Sequence, residues 1–179
     1  MATPRQWSLA YAKQARADLN ARAVLLREAA LPACQQLHFL QMACEKLCKS
    51  HLCLSGSRPD DLQTSHAYIA TVLPVIFRVR FAQTYQRRLR HDAQLLKLVE
   101  HLAREIELLA PAVRRGGKRP DNCEYPWEDA AGNVLVPAER QFPTLDLLTP
   151  QGILFLKLVE TAIDELRQPQ PRRPASPKP

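Results

Sequence analysis

Glycine is scarce in this chain, with 5 residues in 179, and aromatic residues make up only 6%. Turn glycines and alternating β-branched runs are both missing, which argues against a large β-sandwich or barrel. No glycine-rich loop follows an apolar strand, so neither common nucleotide-binding motif is present and no cofactor is expected. Long hydrophobic runs are lacking too. The longest nearly unbroken one, Ile69 to Phe77, falls far short of the ~20 residues that a membrane helix needs. The N-terminal segment carries charges every few residues and lacks the apolar stretch of a secretory signal. A cytoplasmic protein with no membrane association is therefore expected. The 5 cysteines are an odd number, and without a signal they argue against a disulfide framework and for reduced, packed thiols.

What the chain does have is helical periodicity. Thr3-Pro4 reads as an N-cap with proline in the first turn. Behind it Trp7, Tyr11, Ala15, Leu19, Ala23 and Leu26 recur every three or four residues, giving an apolar stripe to about Ala30. Leu31-Pro32 restarts the chain, and a second helix follows from about Ala33 to Leu54 with Leu37, Leu40, Cys44, Leu47 and His51 inward. Ser55 to Asp61 reads as a loop. A third helix is expected from near Ser65 towards Arg88, kinked or split at Pro74. In the fourth, Leu95, Val99, Leu102, Ile106, Leu109 and Val113 keep the spacing of a bundle seam, until Gly116-Gly117 and Pro120 end it. Residues 118–143 are irregular but contain Tyr125, Trp127 and Phe142, so they should pack onto the body. Thr149-Pro150 opens a last helix with Phe155, Leu156, Val159, Ile163 and Leu166 on one side. The expectation is an all-α, up-and-down bundle of about five helices spanning residues 1–167, followed by a solvated, disordered proline- and arginine-rich tail over 168–179.

The formal charge is +7, part of which is the tail's Arg172, Arg173 and Lys178. The densest basic segment runs from Phe77 to His91 and includes Arg78, Arg80, Arg87, Arg88 and Arg90 with no acid among them. On a helix Arg80, Thr84, Arg87 and His91 share one face, which reads either as a phosphate-gripping surface for RNA or as a face paired with acids such as Asp92, Glu100, Glu105 and Glu107. Cys44, Cys48 and His51 lie on one helix, and Cys53 and Cys123 could approach them, but no C-x-x-C knuckle accompanies them and no metal site is expected. Glu45 and Lys49 stand four residues apart in the favourable order for a helical ion pair. The Asn122 to Glu128 loop reads as a lid on the bundle or a partner surface, and Pro171-Arg172-Arg173-Pro174 fits a P-x-x-P ligand pattern or plain tail.

The second helix, His38 to Leu52, resembles that of HEPN domains, with Gln41-x-Ala43-x-Glu45-Lys46-x-x-Lys49 in place of the family's Gln-x-Ala-x-Glu-Lys-x-x-Lys core. Ala15, Asp18-Leu19 and Ala21 to Leu26 resemble the family's first helix. Ser65-His66 is similar to the pair that opens its third, and Tyr125-Pro126 to a Tyr-Pro after its fourth, although Glu124 stands where arginine is frequent. The likeness covers roughly residues 5–110. It implies an antiparallel bundle that forms homodimers, with Glu45, Lys46, Lys49 and His66 as motif positions and with RNA, a nucleotide or a nucleotidyltransferase as partner. Catalytic members carry arginine, four to six residues, then histidine. No histidine here has that spacing: Arg87, Arg88 and Arg90 are too near His91, Arg80 is too far from it, and Arg58 is too far from His66. A non-catalytic or degenerate module binding RNA or a nucleotide, or pairing with a nucleotidyltransferase, is thus the first expectation. A metal-independent ribonuclease using His91 as base and Arg87 as cation is the second, and a structural or interaction protein with no nucleic-acid role the third.

Overall fold

In the computed structural model, residues 2–63, 66–84, 89–111, 122–142, 145 and 147–168 are described, with the backbone alone for 81–84 and 89–92. They form six α-helices: α1 (Pro4–Leu25), α2 (Ala33–Leu54), α3 (Pro59–Gln63), α4 (Ile69–Thr84), α5 (Leu89–Leu108) and α6 (Pro150–Arg167). A two-stranded hairpin, β1 (Trp127–Glu128) and β2 (Val134–Leu135), lies between the last two. The all-α bundle expected from periodicity is what forms, and no described helix is long and apolar enough to cross a membrane.

The centre of the bundle is α2, which packs against α1, α4, α5 and α6. Its Leu37, Leu40, Ala43, Cys44, Leu47 and Cys48 are buried, as are Phe77, Val99, Ile106, Phe155, Val159 and Ile163 from the surrounding helices. Phe77 and Phe155 meet edge to face, their centroids 6.4 Å apart, a geometry that suits the ring quadrupoles. All five cysteines are buried free thiols. The α5 seam falls where its spacing puts it, with Val99, Leu102, Ile106 and Leu109 buried, while Val113 and the glycines beyond lie outside the described residues.

Several boundaries differ from the sequence reading. Helix α1 stops at Leu25, and the last residues of its stripe, Ala23 and Leu26, are exposed. The stretch read as loop after Ser55 contains the single turn α3. Pro74 does not split α4, which is continuous from Ile69 to Thr84. An interior proline costs about 3 kcal/mol, but Ile69, Leu73, Ile76 and Phe77 on either side are buried, at roughly 1.5–3 kcal/mol each. The expected Ser65 cap lies outside the described residues. The backbone N–H of Ala70 instead donates to the Glu107 carboxylate on α5 at 2.9 Å, a cap drawn from a distant helix.

The aromatic segment after α5 is more ordered than a loop. Cys123 returns its N–H to the Leu109 carbonyl at 2.8 Å, and the buried Asn122 side chain accepts from the N–H groups of Glu124 and Tyr125. Trp127 pairs with Leu135 and Glu128 with Val134 in antiparallel register. Gly132 sits at φ +86° in the connecting turn, a backbone region that favours glycine. Trp127 is buried beneath the Arg140 guanidinium, which also approaches Phe142, while Tyr125 stays exposed. Thr149 caps α6 through Gly152 N–H at 3.1 Å, as its Thr-Pro pair predicts. Arg5 closes the other end by donating to the carbonyls of Leu166 and Gln168.

Near the end of α2, burial and then the neighbouring Arg80 charge push the His51 imidazole down to about 4 from its ordinary 6.5. As pH falls from 6.5 the unfolded chain therefore takes up a proton that the folded chain refuses, and stability is lost on the way to about 4. Replacing His51 by Phe should flatten that part of the stability profile, measured by urea unfolding at successive pH values. An unchanged slope would count against the buried neutral imidazole.

Candidate functional site

Helices α1 and α2 form an antiparallel pair, and buried polar residues lie among the apolar ones between them. Ser8 and Ser50 are both buried and share a hydrogen bond of 2.9 Å. One turn along, the Lys46 ammonium meets the buried Asp18 carboxylate at 2.6 Å, and Gln14 donates to the same carboxylate. Next to it Glu45, 2% exposed, gathers three partners. Lys49 Nζ lies 2.5 Å from one carboxylate oxygen, while Gln41 Nε2 at 2.9 Å and His66 Nδ1 at 2.8 Å share the other.

Gln41, Glu45 and Lys49 are spaced by four along α2, so the helix itself stacks them on one side. His66 arrives from the segment between α3 and α4. Burial alone pushes the Glu45 carboxyl up, but the hydrogen bonds and charges of Lys49 and His66 outweigh it and hold the carboxyl below its ordinary value. Lys49 also lies over the Tyr68 ring, 5.8 Å from its centroid.

Above this network opens a cleft of about 370 Å³, walled by Trp7 and Tyr11 of α1 and by Lys46, Lys49 and His66. That volume lies within the ~300–1,000 Å³ usual for small-molecule sites. Burial, and then nearby Cys53 and Glu45, push the Tyr11 hydroxyl above its ordinary range, so it stays a neutral hydrogen-bonding group. Each lysine uses one direction of its ammonium on a carboxylate, and an ammonium has three donors. The cleft thus offers two aromatic faces, fixed cations with donors to spare and an imidazole whose Nδ1 is committed to Glu45. Among the described residues no set of three His, Cys, Asp or Glu side chains is placed to hold a metal ion.

The four motif positions Glu45, Lys46, Lys49 and His66 are therefore brought together. Of the basic stretch, the side chains of Arg78 and Arg80 are described, and both are paired with acids away from this cleft. Arg78 pairs with Glu100 on α5 at 3.4 Å, and Arg80 forms an ion pair with Glu165 on α6. Glu100 is among the acids that the sequence suggests, whereas Glu165 comes from a helix too distant in sequence to suggest itself. Arg87 and Arg88 lie outside the described residues, as do the side chains of Arg90 and His91 in the first turn of α5. Trp7, Tyr11 and Asp18 are cleft or network residues that periodicity assigns to an apolar stripe or to the helix-one likeness. Their spacing of four and seven, with Gln14 between, marks one continuous α1 face. No family model, curated protein or solved structure matches the chain.

Replacing Glu45 by Gln keeps the shape but leaves Lys49 buried without its counterion. Removing one partner of a buried pair costs about 3–5 kcal/mol, and that loss is expected at pH 7 in chemical denaturation. Because the folded Glu45 pKa is lowered, the wild-type advantage is present above the ordinary glutamate pKa and shrinks as pH falls through the folded value. A difference below about 1 kcal/mol at pH 7 would mean that the pair behaves as a surface contact.

Proposed function

We propose that this chain is a HEPN-like, non-catalytic module that binds a nucleotide or the end of an RNA in the α1–α2 cleft, and does so as a homodimer. The observation that supports this is the placing of the Trp7 and Tyr11 rings beside Lys46, Lys49 and His66 around one cleft. A base stacks on the aromatic wall while the spare ammonium donors take phosphate oxygens. Lys46 and Lys49 are balanced by Asp18 and Glu45, so affinity comes from stacking and directed hydrogen bonds more than from net charge. A long RNA strand, whose binding depends on many uncompensated cations, fits this cleft less well than one or two nucleotides.

A second reading draws on the Glu45–His66 contact. A carboxylate on Nδ1 fixes the imidazole and leaves Nε2 as the nitrogen available for proton transfer. If the chain cleaves RNA without a metal, His66 is then a better-supported base than His91.

Calorimetric titration with AMP and with a dinucleotide tests the proposal. Trp7→Ala should weaken binding by roughly 5- to 150-fold, since stacking contributes ~1–3 kcal/mol per base. Lys46→Gln, which keeps a hydrogen bond to Asp18, should weaken AMP more than adenosine. Arg78→Ala should have no effect. Binding that survives Trp7→Ala and is lost in Arg78→Ala would return the site to the basic helix.

A further inference from the structure

Trp7 borders two clefts. One is the α1–α2 cleft; the other, of about 400 Å³, lies where the start of α1 meets the turn between α2 and α3. Trp7, Pro4 and Pro59 give this second cleft its apolar wall, and the buried Cys53 borders it too. Its polar side chains are Ser57, Arg58 and Asp60. The two clefts are close neighbours, since the Asp60 charge is among those that raise the Tyr11 hydroxyl of the first.

Arg58 and Asp60 are exposed, and among the described residues neither takes part in an ion pair, with each other or with a third group. This sets the second cleft apart from the first, where Lys46 and Lys49 are each held by a carboxylate. A guanidinium offers only donors and a carboxylate only acceptors, while the Ser57 hydroxyl serves as either. A second phosphate on Arg58 would meet the negative Asp60 in the same cleft. The group that suits both side chains is neutral, with acceptors on one edge and donors on the next. Guanine has that arrangement: O6 and N7 accept from an arginine fork, and N1–H and the N2 amino group donate to a carboxylate. Adenine sets an amino donor beside N7, where an arginine has only donors of its own. The pyrimidines have no N7.

We propose that the ligand is a dinucleotide containing guanosine, with one base stacked in the α1–α2 cleft and the guanine in the second cleft, its O6 and N7 on Arg58 and its N1–H and N2 amino group on Asp60. This rests on the nucleotide reading and adds to it a length, two nucleotides joined past Trp7, and the identity of one base.

The test is calorimetric titration of the full chain with four probes: AMP, ApA, ApG and GpA. Whichever of ApG and GpA runs in the strand direction of the site should bind roughly 5- to 150-fold more tightly than ApA, the discrimination of a bidentate base contact. Arg58→Ala should remove that preference and leave AMP binding unchanged. Asp60→Asn, which turns one carboxylate oxygen into a donor, should narrow the preference and also leave AMP unchanged. Both positions are exposed, so neither change disturbs the core. Equal binding of ApA, ApG and GpA, a preference that survives both variants intact, or AMP binding weakened by Arg58→Ala would overturn the assignment of guanine to this cleft while leaving the nucleotide reading in place. Absence of saturable AMP binding would remove the nucleotide reading itself, and this inference with it.

Discussion

A carboxylate buried in the middle of a helical bundle is tolerated only if every oxygen is answered, and in this protein Glu45 is such a group. Lys49 answers one oxygen; Gln41 and His66 answer the other. Two of these partners come free with the helix, at spacings that α2 supplies by its own geometry. The third is structural in its consequence, because His66 precedes α4, and its bond to Glu45 fixes how the chain enters that helix. Asp18 and Lys46 apply the same logic between α1 and α2. The result is a polar seam inside an otherwise apolar bundle, and the cleft beside Trp7 and Tyr11 exists because that seam is not closed by packing.

Several of the described cations are paired with acids. The chain carries +7 overall, yet Lys46, Lys49, Arg16, Arg78 and Arg80 all face a carboxylate. Exposed pairs such as Arg78 with Glu100 add little to stability, but they remove isolated cations from the face that composition alone suggests as a nucleic-acid surface. At the α1–α2 cleft the groups on offer are two aromatic rings, an imidazole and two ammonium groups already paired with acids.

Much of the bundle was legible in the sequence because helix periodicity is local. The Thr3-Pro4 and Thr149-Pro150 caps, the α2 core face and the α5 seam from Val99 to Leu109 all depend on residues within a few positions of each other, and these occur as read. Pro74 does not split α4, since its local penalty is smaller than the tertiary burial around it. The hairpin at Trp127 and Val134 was missed because strands of two residues are too short to show alternation. At the candidate site the α2 positions were marked by their spacing and by family likeness, but the contributions of Trp7, Tyr11 and Asp18 depend on how α1 lies against α2. Arg80 with Glu165 and Ala70 with Glu107 are long-range pairings of the same kind, which no window of sequence contains.

The most direct measurement is an NMR titration of the Glu45 side-chain carboxyl in the folded protein. An ionised hub held by Lys49 and His66 predicts a midpoint below the ordinary glutamate value of 4.5, with the His66 ring signals moving in the same transition. A midpoint above that value would show that desolvation prevails over the partners. Glu45 would then be a buried acid with weak partners, and the ordered cleft would lose its foundation.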